Sequence, residues 1–231
     1  MTAAASTESS PPESPHIINS VTELARQVDA YVARGYPTLA GLDEAAFRAL
    51  FVTLQAPLAK AEAAGLDLSV TENRVPFVAV VSDVLVSPES RVPMLRAGWG
   101  KKEGILDRNF GENGLALYRP VDGLEVPPAP VYLLLGVERG DEFKNVKPLN
   151  AIPVIAQRDR TALTIAEGLS FNAAYPGMLI KNHCFMLAGS HEGNRRVPAI
   201  WISQGVPKLG WCFQGVEHTW LGIASAHGRA T

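Results

Sequence analysis

Only two of the 231 residues are cysteines, Cys184 and Cys212, too few for the disulfide frameworks that hold small secreted domains together. Charge is scarce as well. Charged residues make up 19% of the chain, the formal net charge is −2, and Lys101-Lys102 and Arg195-Arg196 are the only basic doublets. That is not the basic face that nucleic acid selects. No apolar run reaches the roughly 18 residues that span a bilayer. The first basic residue is Arg26, so the N-terminus carries neither the charged start of a secretory signal nor the arginines of a transit peptide. Together these absences point to a reducing cytoplasm, with no nucleic-acid and no membrane partner.

What is present suffices for a core, since 47% of the residues are hydrophobic. Residues 1 to 16, rich in Ala, Ser, Thr, Glu and Pro, have almost nothing to bury and read as a disordered tail that includes His16. Residues 17 to 231 read as one α+β domain. Its first part, 17 to 66, is a helical pair. Ser20-Val-Thr-Glu23 forms a capping box ahead of the stripe Val21, Leu24, Ala25, Val28, Tyr31 and Val32. Asp43 caps a second stripe, Phe47, Leu50, Phe51, Leu54 and Leu58, which Pro57 should kink or split.

From 75 to 231 the pattern is that of a mixed, largely antiparallel sheet with one or two further helices. Val75 to Val86 and Val131 to Val137 are β-branched runs of the kind covered on both faces. Asp83 interrupts the first, as an acid at a bulge or strand end does. Gly98-Trp99-Gly100 and Gly104 miss the spacing of a dinucleotide loop. Pro148 to Gln157 is a short helix. Thr164-Ile-Ala-Glu167 is a capping box for another, ending near Ala174. Strand-like segments follow at His183 to Ala188, Val197 to Ser203, Leu209 to Phe213 and Thr219 to Ala224.

The residue types that carry most site chemistry crowd into the last fifty positions. Four of the five histidines (His183, His191, His218, His227), both cysteines and three of the four tryptophans (Trp201, Trp211, Trp220) lie there. If Leu209 to Ala224 is a hairpin, Trp211, Phe213, Thr219, Leu221 and Ile223 share its core face. Cys212, Trp220, Gly210 and Gly222 then share the other, with His218 at its edge. Cys212 and His218 become diagonal neighbours, roughly 7–8 Å apart at Cα. A thiolate nucleophile activated by His218 is one reading of that face. A metal held by Cys212 and His218 with His183, Cys184 or His191 is a second, although the spacing matches no standard metal signature. A buried cysteine beside a hydrogen-bonded histidine is the plain alternative. Gly189-Ser190-His191-Glu192-Gly193 is neither a nucleophile elbow nor a zinc motif and reads as a polar turn. Arg195 and Arg196 could bind an anion or pair with Glu167.

Three motifs here, RRVPAIWIS over 195–203, PKLGWC over 207–212 and HTWLG over 218–222, preceded by TALTIAEG over 161–168, resemble the C-terminal block of an uncharacterised bacterial family, a domain of unknown function. The resemblance covers about residues 160 to 228. It implies no established activity, cofactor or catalytic residue.

The function these residues support is binding of a small molecule or protein partner at the C-terminal block, with Arg196, Trp201, Trp211, Trp220 and His191 as contacts. A cysteine-dependent or metal-assisted hydrolase using Cys212 and His218 is the alternative, and a structural interaction protein with core tryptophans is a third. No metal site is assigned, the cofactor is unknown, and a homo-oligomer stays open.

Overall fold

A computed structural model describes residues 16 to 98 and 100 to 231. Most of the tail and Trp99 lie outside the described residues. The chain runs β1 (His16–Ile17), α1 (Ser20–Ala33), α2 (Tyr36–Leu39), α3 (Glu44–Val52), α4 (Gln55–Ala63), β2 (Ser69–Val70) and β3 (Arg74–Val81). After α5 (Pro88–Arg91), β4 (Ile105–Leu106) and β5 (Arg119–Pro120) comes β6 (Val131–Glu138). Then follow α6 (Pro148–Gln157), β7 (Thr161–Ala162), α7 (Ile165–Ala174), β8 (Cys184–Met186) and β9 (Ser190–His191). The chain ends with β10 (Arg196–Ser203), β11 (Val206–Phe213), β12 (Leu221–Ile223), β13 (Ser225–Ala226) and β14 (Gly228–Ala230). The fold is α+β, with helices first and sheets after. Among the described residues no helix is long and apolar enough to cross a membrane.

The N-terminal helices form as their stripes dictate. Leu24, Val28 and Tyr31 of α1 and Phe47, Phe51, Leu54 and Leu58 of α3 and α4 are buried in one cluster against β3. Two details differ from the sequence reading. Asn19, not Ser20, caps α1, its side chain accepting from the Thr22 amide. Ser20 is itself buried. Val21 and Ala25 face solvent, while Glu23 and Gln27 take their places on the buried face. Pro57 lies in the first turn of a separate helix, where its missing N–H costs nothing, so the second stripe is split between α3 and α4. His16, assigned to the tail, pairs with Val70.

Two sheets follow. In the first, β6 is flanked by β3 on one side and by β14 and β13 on the other, all antiparallel, with β7 beyond β13. The second runs β12-β8-β10-β11-β4. It is mixed, because β12 lies parallel to β8 and β4 parallel to β11. The expected Leu209–Ala224 hairpin does not form. The hairpin is β10–β11, closed by Gln204 and Gly205, both at positive φ (52° and 72°), as a two-residue primed turn requires. β12 lies at the far edge of the sheet, separated from β11 by β8 and β10. Trp211, Phe213 and Leu221 therefore do not form one core. Leu221 is buried, Trp211 is half-buried and Phe213 is 52% exposed.

β3 has a hydrogen-bonding edge that no strand covers. Side chains do so instead. Gln27 donates to Phe77 O and accepts from the Ala79 amide, at 3.1 and 2.8 Å. Tyr31 donates to Ala79 O at 2.6 Å. The Val81 amide donates to Ser170 Oγ of α7 at 3.1 Å. Replacing Gln27→Leu removes a partner from two buried backbone groups, so urea unfolding should show a loss of about 2 kcal/mol or more. Val21→Ala, on the exposed face, should stay within about 0.5 kcal/mol of the parent. Equal small effects from the two variants would show that the edge does not need Gln27.

Candidate functional site

The expected site residues divide between the two faces of the β10–β11 hairpin. Ala199 pairs with Gly210 and Trp201 with Lys208, so Trp201, Gly210 and Cys212 share one face. The Trp201 ring lies so close over Gly210 that a Cβ there would stand 2.0 Å from it. Trp220 meets Trp201 edge-on at 6.2 Å between centroids, and His218 meets Trp220 at 5.3 Å. Trp211 is on the opposite face. Its Nε1 donates to Asn109 O at 3.1 Å, and the Arg196 guanidinium lies 4.2 Å over its ring. Arg196 also pairs with Glu192 at 3.1 Å. Neither Arg195 nor Arg196 reaches Glu167, whose partner is Arg229. His191 lies in β9 with Nε2 buried and without a hydrogen-bond partner.

Neither Gly210 nor Gly222, which the hairpin reading put on one face with Cys212, leaves open space. Trp201 covers Gly210, and the Gly140 carbonyl stands 2.4 Å from where a Cβ of Gly222 would be. Among the described residues no hydrogen bond joins Cys212 to His218. Burial pushes the Cys212 thiol up to about 11. Burial lowers His218, against the pull of Glu217. Its Nε2 has no partner.

A polar cluster stands at one end of the second sheet. Arg139, 1% exposed, grips Asp141 with two hydrogen bonds of 2.7 Å. His183 Nδ1 donates to the same carboxylate at 2.6 Å. Burial would raise Asp141, but the hydrogen bonds from Arg139 and His183 and the charges of Arg139 and Lys144 outweigh it and hold the carboxyl at about 2. Among the described residues no three His, Cys, Asp or Glu side chains gather as a metal would need.

An enclosed cavity lies elsewhere, between the end of β3 and the start of α7. Its volume is about 210 Å³. Tyr132 of β6 and the first turn of α7 (Thr164, Ile165, Ala166) form its floor. Its roof is the β5–β9 pair, with Arg119 and Pro120 opposite His191 and Ser190, and the loop at Val126 to Pro128. Ser82 and Asp83, the first residues after β3, stand on the wall. The capping box of α7 is complete. The Glu167 amide donates to Thr164 Oγ1 at 3.3 Å, and Glu167 Oε2 accepts from the Thr164 amide at 2.7 Å. Ser190 adds a second cap, accepting from the Ile165 amide at 3.0 Å. Its loop, read from sequence as a polar turn, is thus part of the helix start. Asp83 ends the strand as expected and pairs at the cavity mouth with Arg91, which is fully buried.

Among the described residues the buried Oγ of Ser82, a lining residue only 4% exposed, has no hydrogen-bond partner, whereas the Tyr118 hydroxyl faces the Glu192 carboxylate. The sequence reading singled out neither. Asp83 and the capping box were the available signals, but nothing in the sequence joins them across the chain.

A model for a family of unknown function (DUF5701) matches residues 30 to 231. The chain belongs to that family. No curated protein and no solved structure matches the chain.

Two outcomes follow from the charged groups. A thiol near 11 is protonated at neutral pH, so iodoacetamide should modify Cys212 slowly until about pH 10, and His218→Ala should not change the rate. A several-fold slower reaction in that variant would restore the activated thiolate. Asp141 has a folded pKa below its ordinary 3.8, so its contribution is complete above about pH 4 and is lost as pH falls towards 2. The stability gap between the wild type and Asp141→Asn should therefore narrow by about 2 kcal/mol from pH 7 to pH 2. A gap independent of pH would mean that Asp141 is not held in its charged form by folding.

Proposed function

We propose that the protein binds a small molecule in the cavity between the end of β3 and the start of α7. The unpartnered Ser82 hydroxyl carries this reading. A buried polar group without a partner costs about 1–3 kcal/mol, and this one belongs to a residue that lines a cavity. At about 210 Å³ the cavity is smaller than the roughly 300–1,000 Å³ of sites for drug-sized molecules. The ligand is accordingly compact. The C-terminal block contributes Ser190 to the wall and β9 to the roof, while the tryptophans stand apart from it.

A second reading places a partner at the C-terminal aromatic face. It is favoured by the ladder His218–Trp220–Trp201, whose rings are half-buried and whose outermost member has an unpartnered Nε2. Half-buried aromatics with a polar end suit an interface with one wet side. The hydrolase alternative, with Cys212 and His218, has the least support, because the thiol is raised by burial and has no base hydrogen-bonded to it. Location in the cytoplasm is part of the proposal and rests on the reduced cysteines alone.

Thermal-shift screening of small polar metabolites separates the two sites. Compounds that raise the melting temperature should lose their effect in Val126→Trp, which fills the cavity from its roof, and keep it in Trp220→Ala. The reverse pattern would move the site to the aromatic face. Hits untouched by either change would overturn both placements.

A further inference from the structure

The hydrogen-bond valences of the cavity wall specify the chemistry of what it holds, given the binding reading above. The first three amides of a helix have no acceptor within it. In α7 the Ile165 amide is met by Ser190 Oγ and the Glu167 amide by Thr164 Oγ1. This leaves the Ala166 amide, on a residue that lines the cavity. Ser190 and Thr164 use their oxygens as acceptors in those caps, so each still has a hydroxyl proton to give. Among the described residues neither proton has an acceptor. Ser82 Oγ, buried and among the described residues without any partner, adds a third. Tyr132, also on the wall, is already satisfied, donating to Glu167 Oε1 at 2.9 Å.

The side chains around the first turn of α7 thus offer more donors than acceptors. The cavity's one carboxylate, Asp83, stands at the mouth and is held by Arg91. The fixed charges agree. The start of a helix carries roughly half a positive charge. The buried Arg91 guanidinium donates to Ala166 O at 3.3 Å, directly behind that turn. Glu167, the acid nearest in sequence, is fully buried and neutralised by Arg229 through two hydrogen bonds of 2.6 and 2.8 Å.

We propose that the cavity takes a small oxyanion, a carboxylate or a phosphate group, at the first turn of α7. The Ala166 amide and the hydroxyls of Ser82, Ser190 and Thr164 supply the donors. A helix start with its amides turned to a ligand suits either group. The hydroxyls, free to rotate, fit a planar carboxylate or a tetrahedral phosphate.

The test uses the full-length ¹⁵N-labelled protein at constant ionic strength, titrated with inorganic phosphate, with propionate, and with propionamide as the uncharged match to propionate. At least one anion should move the Ala166 amide resonance along a saturating curve, and whichever binds more tightly identifies the group. Propionamide should need about ten times the concentration, since hydrogen bonds to a charged acceptor are roughly twice as strong as those to a neutral one. Ser82→Ala removes a hydroxyl that contacts nothing in the fold, so the variant should fold normally and bind the anion several-fold more weakly. Propionamide binding as tightly as the anions would overturn the oxyanion and leave the cavity reading intact. Anion shifts at Ala166 that Ser82→Ala does not change would mean loose ion association and overturn it equally. If none of the three probes moves Ala166 while a metabolite hit is lost in Val126→Trp, the oxyanion fails alone. If no hit depends on Val126 either, both readings fail.

Discussion

Everything near the cavity depends on how the open edge of β3 is closed. A sheet edge presents a row of unpaired amides and carbonyls, and one buried under helices has no water to satisfy it. Here α1 and α7 supply the partners side chain by side chain: Gln27 at Phe77 and Ala79, Tyr31 at Ala79, Ser170 at Val81. Arg91 then takes the Val81 carbonyl and reaches on to Ala166 O. This explains why a buried helix face carries Gln27 and Tyr31 where an apolar stripe would pack as well. It also explains why the tightly packed α7 admits Ser170 at its centre.

The same closure sets where the site begins. Pairing along the edge proceeds residue by residue to Val81 and stops. At Ser82 the amide donates to Pro130 O and the carbonyl accepts from the Leu85 and Val86 amides, and among the described residues only the hydroxyl is left without a partner. The start of α7 is held in register with that point by a network no single contact would secure. Glu167 accepts from the Thr164 amide, from Tyr132 of β6 and from Arg229 of β14. A fully buried carboxylate is tolerated only when its charge and lone pairs are all met. Because its partners come from the sheet as well as from the helix, meeting them pins the helix to the sheet.

Much of this fold was legible. The Thr164–Glu167 capping box, the α6 helix, the paired runs of β3 and β6 and the core stripe of α3 and α4 all follow from spacing, because each is decided within a dozen residues. The failures have one cause, competition between partners far apart in sequence. Leu209 to Phe213 and Thr219 to Ala224 look like hairpin partners, yet Arg196–Ser203 offers β11 a longer match across eight residue pairs, and the turn that allows it is Gln-Gly, a weaker signal than Asn-Gly or Asp-Gly. Glu23 and Gln27 defeat the simple stripe of α1 because Gln27, which also donates to Glu23, has further partners at Phe77 of β3 and at Tyr175, just past α7. The cavity was illegible for the same reason, with its wall drawn from segments between Ser82 and Ser190.

The C-terminal block shows why reactive residue types are a poor guide to a site. Histidine, cysteine and tryptophan concentrate there, and the fold meets most of what they need. Trp201 rests on Gly210, Trp211 has the Asn109 carbonyl and the Arg196 guanidinium, His183 has Asp141, and Cys184 lies in the core with its thiol raised by burial. A group whose hydrogen bonds and contacts are complete has little left to offer a ligand. Ser82 and Ala166 are unremarkable as residue types, but among the described residues folding leaves their donors without acceptors beside an enclosed space. Recognition depends on valence left unmet after folding. By that measure the binding site we propose sits at the start of α7, while His191 and His218, whose Nε2 atoms are also left without hydrogen-bond partners among the described residues, are what the C-terminal block still has to offer.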